Sequence, residues 1–206
     1  KGLVPSSEQY PHLAVETNIL GLVNILRECK KIAARLIWTS STTVFGSAEC
    51  YSGNVVEESL VGPKSVYAAS KVFCEQLIRT YRLQHGIDAV AIRPTLVWGP
   101  GIQYRGIQAP FSDMVEAFAF GKTASVPYND ELWDLIYVKD VARANILAME
   151  SDVVDDVFNI GSQNEITLRE LLKLILKVTF YFRSSSFNVL VNISSMFECR
   201  FSFLFS

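Results

Sequence analysis

From about residue 18 to residue 176 the chain alternates short runs of consecutive apolar residues with longer stretches in which apolar residues recur every three or four positions. The first pattern suits strands covered on both faces and the second suits helices with one covered side. Their alternation predicts βα units on a parallel sheet, an α/β class. Thr17-Asn18 stands where a helix N-cap is expected, ahead of Ile19, Leu22, Val23, Ile25 and Leu26 on one broad face and a Lys30-Lys31 end. Residues 35–40 then read as a buried strand ending in a hydroxyl-rich turn, Ser40-Ser41-Thr42-Thr43. A second helix runs from Ser65 to about Gln84 and stops at His85-Gly86, where glycine suits a left-handed C-terminal position. Ala89-Val90-Ala91-Ile92 is the next buried strand, followed by a loop from Pro94 to Pro110. A helix over 112–120, a short strand over 135–138, a helix over 139–149 and a strand over 157–161 continue the alternation. Thr167-Leu168-Arg169-Glu170 opens a last helix in the manner of a capping box.

Composition adds limits. The 206 residues are 50% hydrophobic, enough for a sizeable core and too apolar for a disordered chain. Nineteen basic residues against 21 acidic ones leave a net charge of −2, so no electrostatic footprint for nucleic acid is present. Cys29, Cys50, Cys74 and Cys199 lie far apart, and His12 and His85 stand alone, which suggests neither a disulfide framework nor a metal site. The first residues have no apolar core of a signal peptide, and the longest charge-free stretch of the tail is too short and too polar to span a membrane. These features predict a soluble, cytoplasmic protein. From about Phe180 the pattern fails: the last 27 residues hold seven Phe and seven Ser, without period or turn punctuation. The expected division is therefore a domain over 1–178 and an unassigned Phe/Ser-rich tail over 179–206.

Tyr67-Ala68-Ala69-Ser70-Lys71 is the most informative short stretch, because residues four apart share a helix face. A free phenol has a pKa near 10, and an adjacent ammonium favours its ionised form, so the pair can trade a proton with an alcohol or carbonyl. The pentapeptide alone also suits an ordinary amphipathic helix. Ser41, 26 residues earlier, lies at a strand end, where parallel sheets present ligand-binding groups. Its hydroxyl either polarises the same carbonyl or satisfies its own turn.

These residues resemble the extended short-chain dehydrogenases/reductases, in particular the NAD-dependent epimerase/dehydratase group. The resemblance runs in family order through Asn18-Ile19-Leu20-Gly21, residues 38–46 (WTSSTTVFG), Tyr67-Ala68-Ala69-Ser70-Lys71, residues 93–101 (RPTLVWGPG), residues 134–142 (DLIYVKDVA) and Phe158-Asn159-Ile160-Gly161-Ser162. It implies a nicotinamide enzyme, using NAD or NADP, on a Rossmann-type sheet with helices on both faces and a small C-terminal substrate-binding part. By the same resemblance Tyr67 would be the general acid/base, and Lys71 would lower its pKa and bind the nicotinamide ribose. Ser41 would hydrogen-bond the reacting oxygen, Asn18 would support the network, and Pro94 would line the nicotinamide pocket. The helices from Asn18 and Ser65 would pair in a homodimer.

The departures matter as much. The family's Gly-x-x-Gly-x-x-Gly turn, which receives the cofactor pyrophosphate at a helix N-terminus, is absent from these residues. Lys1 is expected near the middle of the usual domain, with the first strands missing. Members that act on nucleotide sugars often carry Asn where this chain has Leu96 and Arg where it has Trp133. Apolar side chains there remove polar contacts to a sugar nucleotide. With a pattern similar to 3-beta-hydroxysteroid dehydrogenase-like enzymes, they point to an apolar secondary alcohol or ketone, contacted by Ser41, Leu96 and Trp133. A nucleotide-sugar epimerase or dehydratase and a non-catalytic truncated product are the alternatives.

Overall fold

In the computed structural model the described residues are 4–101, 109–120, 132–153 and 156–184. The chain divides into two compact units, the first made of Lys1–Thr95 and Lys139–Ile160, the second of Leu96–Val138 and the residues from Gly161 on.

In the first unit α1 (Val4–Gln9) and α2 (Pro11–Val15) lead through a π turn, Glu16–Leu20, into α3 (Gly21–Ile32). Strand β1 (Leu36–Thr39) follows, then a 3-10 turn (Thr42–Phe45), α4 (Val66–His85), β2 (Ala89–Pro94), and later α6 (Val138–Glu150) and β5 (Val157–Ile160). The strands lie in the order β1-β2-β5, all parallel, with Thr39 beside Ile92 and Arg93 beside Asn159. Parallel neighbours need long crossovers, and α4 supplies the one between β1 and β2. Leu22 and Leu26 of α3 and Cys74 and Ile78 of α4 close with Leu36 and Ala89 into one apolar core, so both helices cover the same face of the sheet. All six residues of β2 are buried, which accounts for its uninterrupted apolar run.

In the second unit β3 (Leu96–Trp98) pairs parallel with β4 (Leu132–Tyr137), and β4 antiparallel with β6 (Glu165–Thr167). Met114 of α5 (Ala109–Ala119), Leu135, and Leu168 and Leu171 of α7 (Leu168–Ser184) form its core.

Several expectations need correction. Thr17-Asn18 does not cap a helix: Pro11 starts the helical run, and Asn18 lies inside the π turn, where its side chain is held by α4. The region after Pro94 is not all loop, since β3 forms there and residues 102–108 lie outside the described set. Strand β6 was not anticipated, because three residues carry too little pattern. Helix α7 runs through the expected boundary at 179, and residues 185–206 of the Phe/Ser-rich tail lie outside the described set. Other local signals hold. The Thr167 hydroxyl accepts from the Glu170 amide at 3.2 Å while the Glu170 carboxylate accepts from the Thr167 amide at 3.1 Å, a reciprocal cap. Ser65 caps α4, and Gly86 ends it at φ 65°.

Candidate active site

Strand β1 delivers its last residues to the C-terminal edge of the sheet. Ser41 is extended there (φ −164°, ψ 146°) and caps the 3-10 turn: its oxygen accepts from the Thr43 amide at 3.2 Å and from the Thr43 hydroxyl at 3.0 Å. Its own proton is then free to turn outward, and the Ser41 side chain is near enough to the Tyr67 phenol to lower its pKa. The turn role expected of Ser41 is thus filled by its oxygen.

Tyr67 sits in the first turn of α4, half-buried. Burial raises its phenol above the ordinary value, and the nearby Ser41 hydroxyl lowers it by less. The phenol is thus a proton donor at neutral pH. Lys71, one turn on, has its ammonium 5.6 Å from the Tyr67 ring centroid and 4.5 Å from that of Trp38, and it donates to the Thr39 carbonyl at 2.8 Å. Burial lowers its pKa, while Cys74 and Glu75 push it back up. The net shift of the Tyr67 phenol is upward because burial is the largest influence on it, while the Lys71 ammonium beside the ring donates to Thr39.

Asn18 reaches the site through α4. Its Nδ2 donates to the Ser70 hydroxyl at 2.9 Å, and that hydroxyl donates to the Tyr67 carbonyl at 2.7 Å. The Asn18 carbonyl accepts from the Cys74 thiol at 3.4 Å, and burial pushes that thiol up to about 11. Asn18 therefore holds the backbone that carries Tyr67. The π turn leaves its side chain and its carbonyl both pointing at α4, and π turns inside helices often mark functional sites.

Sequence reasoning missed a buried charge network. Glu75, only 8% exposed, accepts from Ser40 at 2.5 Å and from Arg93, 5% exposed, at 2.8 and 2.7 Å. Its one available signal was the spacing Tyr67, Lys71, Glu75 along a single helix stripe. Pro94 is held near the Ser41 turn, its carbonyl accepting from the Thr42 hydroxyl at 3.2 Å. Beside it the buried Thr95 hydroxyl has no partner among the described residues. Leu96 and Trp133 belong to the second unit, where both pack against its apolar core.

A family model described as the NAD dependent epimerase/dehydratase family matches residues 1–161. The chain belongs to this family. It is 27% identical over 171 residues to UDP-glucuronic acid decarboxylase 6 of Arabidopsis thaliana, covering 80% of this chain and 49% of that protein. It is 31% identical over 129 residues to D-erythronate dehydrogenase of Haemophilus influenzae, covering 61% of this chain and 40% of that one. Its fold is similar to that of RMD from Pseudomonas aeruginosa, solved with NADPH, at a TM-score of 0.77 and 26% identity over 86% of this chain and 63% of the other. The chain thus spans about half the length of the curated relatives it matches. Among the described residues no helix is long and apolar enough to cross a membrane, and no cluster of His, Cys, Asp or Glu is disposed to hold a metal.

The residues present suit a nicotinamide. A phenol, an ammonium and a hydroxyl converge at one sheet edge, and the buried, partnerless Thr95 hydroxyl stands next to Pro94.

Proposed function

We propose that the protein moves a hydride between NAD or NADP and a secondary alcohol or ketone, with Tyr67 passing the accompanying proton. The observation that carries this reading is the Lys71 ammonium 5.6 Å from the centroid of the Tyr67 ring, with the Ser41 side chain near enough to the same phenol to lower its pKa. The bound nicotinamide supplies or accepts the hydride. Ser41 donates a hydrogen bond to the substrate oxygen and holds it at the phenol. In the reducing direction Tyr67 gives its proton to the oxygen as the carbonyl carbon gains hydride; in the oxidising direction the phenolate takes the hydroxyl proton as the carbon loses it. Lys71 steadies that phenolate by its positive charge, and with Tyr67 offers donors to the nicotinamide ribose, while Pro94 and Thr95 line the nicotinamide.

The apolar substrate class rests on Leu96 and Trp133 as substrate contacts. Both side chains are engaged in the core of the second unit, which weakens that support. A nucleotide sugar is the second reading, favoured by the Arabidopsis relative named for UDP-glucuronic acid. The homodimer belongs to the same proposal: α3 exposes Ile25 and Ile32, and α4 exposes Phe73 and Leu83.

Tyr67→Phe keeps the ring and removes the proton. In the active protein it is expected to lower kcat by roughly 10²–10⁴-fold with the fold intact. Full activity of Tyr67→Phe across pH would overturn the assignment. Turnover of simple secondary alcohols followed by nicotinamide absorbance, against conversion of UDP-sugars followed by chromatography of the products, separates the two substrate classes, since an epimerisation or dehydration returns the hydride and leaves no net change in the nicotinamide.

A further inference from the structure

We infer that Glu75 is a positioning residue for Tyr67 and Lys71: its buried carboxylate ties the middle of α4 to the ends of both β1 and β2, and so sets where the two side chains before it meet Ser41 and Thr39. The inference rests on the acid/base reading of Tyr67 given above.

Tyr67, Lys71 and Glu75 follow at intervals of four, so they lie along one stripe, with Glu75 about 12 Å down the helix from Tyr67 at 1.5 Å per residue. At that point the helix is bound to two strands at once. Ser40 of the β1 end donates to Oε1 at 2.5 Å. Arg93 of β2 donates from Nε to the same oxygen at 2.8 Å and from Nη2 to Oε2 at 2.7 Å. Each anchor directly precedes a residue of the site, Ser40 before Ser41 and Arg93 before Pro94.

The guanidinium extends the clasp. Its Nη1 donates to the Glu57 carbonyl at 3.1 Å, and the Glu57 carboxylate takes the Asn159 amide of β5 at 2.7 Å. Its plane lies 4.9 Å from the centroid of Phe45, in the turn that Ser41 caps. The Glu75 carboxylate thereby joins β1 and β2 to the helix that carries Tyr67 and Lys71, and through Arg93 and Glu57 the clasp reaches β5.

The apolar contacts of α4, through Ala68, Cys74 and Ile78, hold the helix on the sheet without directionality. They tolerate a small shift along the axis or a small rotation. A bidentate carboxylate–guanidinium pair has one geometry, and it removes that freedom. Buried ion pairs add little net stability over apolar packing of the same volume, and their best-attested use is to select one register. The charge also bears on Lys71, whose ammonium it helps to keep against burial. The other groups around Lys71 are Tyr67 and Cys74 on its own helix, the neutral Trp38 ring and Thr39 carbonyl of β1, and Arg93 of β2 beyond Glu75.

The test reads geometry before activity. Glu75→Met combined with Arg93→Met removes both charges together, so that neither is left buried without its counter-charge; Ser40→Ala cuts only the arm to β1. With the 206-residue chain folded by circular dichroism and well below melting, nuclear Overhauser cross-peaks between the Tyr67 ring and Ser41 are recorded, assigned by their disappearance in Tyr67→Leu. The expected result is loss of these cross-peaks in the double variant, weakening in Ser40→Ala, and partial retention in Glu75→Asp, which keeps the charge. Unchanged cross-peaks in the folded double variant overturn the inference and leave Glu75 a residue of stability alone. Should the double variant not fold, Ser40→Ala decides, and unchanged cross-peaks there overturn it equally. In the active protein the double variant should lower kcat by about 10²-fold, the cost of a misplacement near 1 Å, with KM for substrate little changed. A failure of the acid/base reading itself would appear as an active Tyr67→Phe, and would leave the cross-peak result standing.

Discussion

Burial pushes the Cys74 thiol from 9.0 up to about 11 and holds the Tyr67 phenol above 10.0. Both groups are neutral when protonated, so the unfolded chain loses these protons first as the pH rises. From about pH 9 upward the unfolded state binds fewer protons than the native one, and stability falls until the native thiol also titrates near 11. Lys71 acts in the opposite sense. Its depressed native pKa means that the unfolded chain binds its proton more tightly below 10.5, so its contribution grows with pH up to that value. Melting temperatures from pH 8 to 11 should therefore decline above pH 9. Cys74→Ala should flatten part of that decline, and a curve identical to the parent's would show that the thiol does not titrate in this way. At neutral pH the same thiol should resist alkylation in the folded chain, since the thiolate is the nucleophile.

Among the elements, the turn after β1 has the least tolerance. Gly46 sits at φ +79°, and a Cβ there would stand 2.0 Å from the Gly62 carbonyl oxygen. The two segments are fastened to each other: the Gly62 amide donates to the Val44 carbonyl at 2.9 Å, and the Tyr51 hydroxyl meets the Phe45 carbonyl at 2.6 Å. Because the obstacle is backbone, Gly46→Ala must strain its own φ and part the strands of this turn. A loss of roughly 3 kcal/mol is expected, the upper end of the roughly 1–3 kcal/mol that a strained backbone costs by itself. Denaturant unfolding measures it, and a change under about 0.5 kcal/mol, the ordinary surface value, would contradict the clash. The helices were the most readable elements. The start and stop of α4 follow from Ser65 and Gly86, local choices that bond to backbone within four residues. The start of the α3 run was misread because Asn18 has the chemistry of a cap, while its partner, Ser70, lies 52 residues away.

For the molecule as a whole, the acid/base end of the site and the pyrophosphate end are separate requirements. In the reading proposed above the first falls to β1, α4 and the π turn; the Gly-x-x-Gly-x-x-Gly turn that serves the second does not occur in these 206 residues. The 206-residue chain by itself is therefore expected to give no heat of binding with NAD(H) or NADP(H) at micromolar concentration. Micromolar affinity in calorimetric titration would show that the acid/base end alone suffices.

By itself the sequence determined the α/β class, the alternation of βα units, the caps of α4 and α7, and the placing of Tyr67 and Lys71 on one helix face. All of these rest on patterns repeated along the chain or on spacings within one element. Only the tertiary structure decided which protonation state burial favours at Tyr67, that Asn18 works through Ser70, that Leu96 and Trp133 pack into a core, and that Glu75 and Arg93 clasp the strand ends. Those facts depend on contacts across 52, 32 and 18 residues, between Asn18 and Ser70, Lys71 and Thr39, and Arg93 and Glu75. No local period encodes such distances, because burial and long-range pairing exist only once the sheet has brought the strand ends and α4 together.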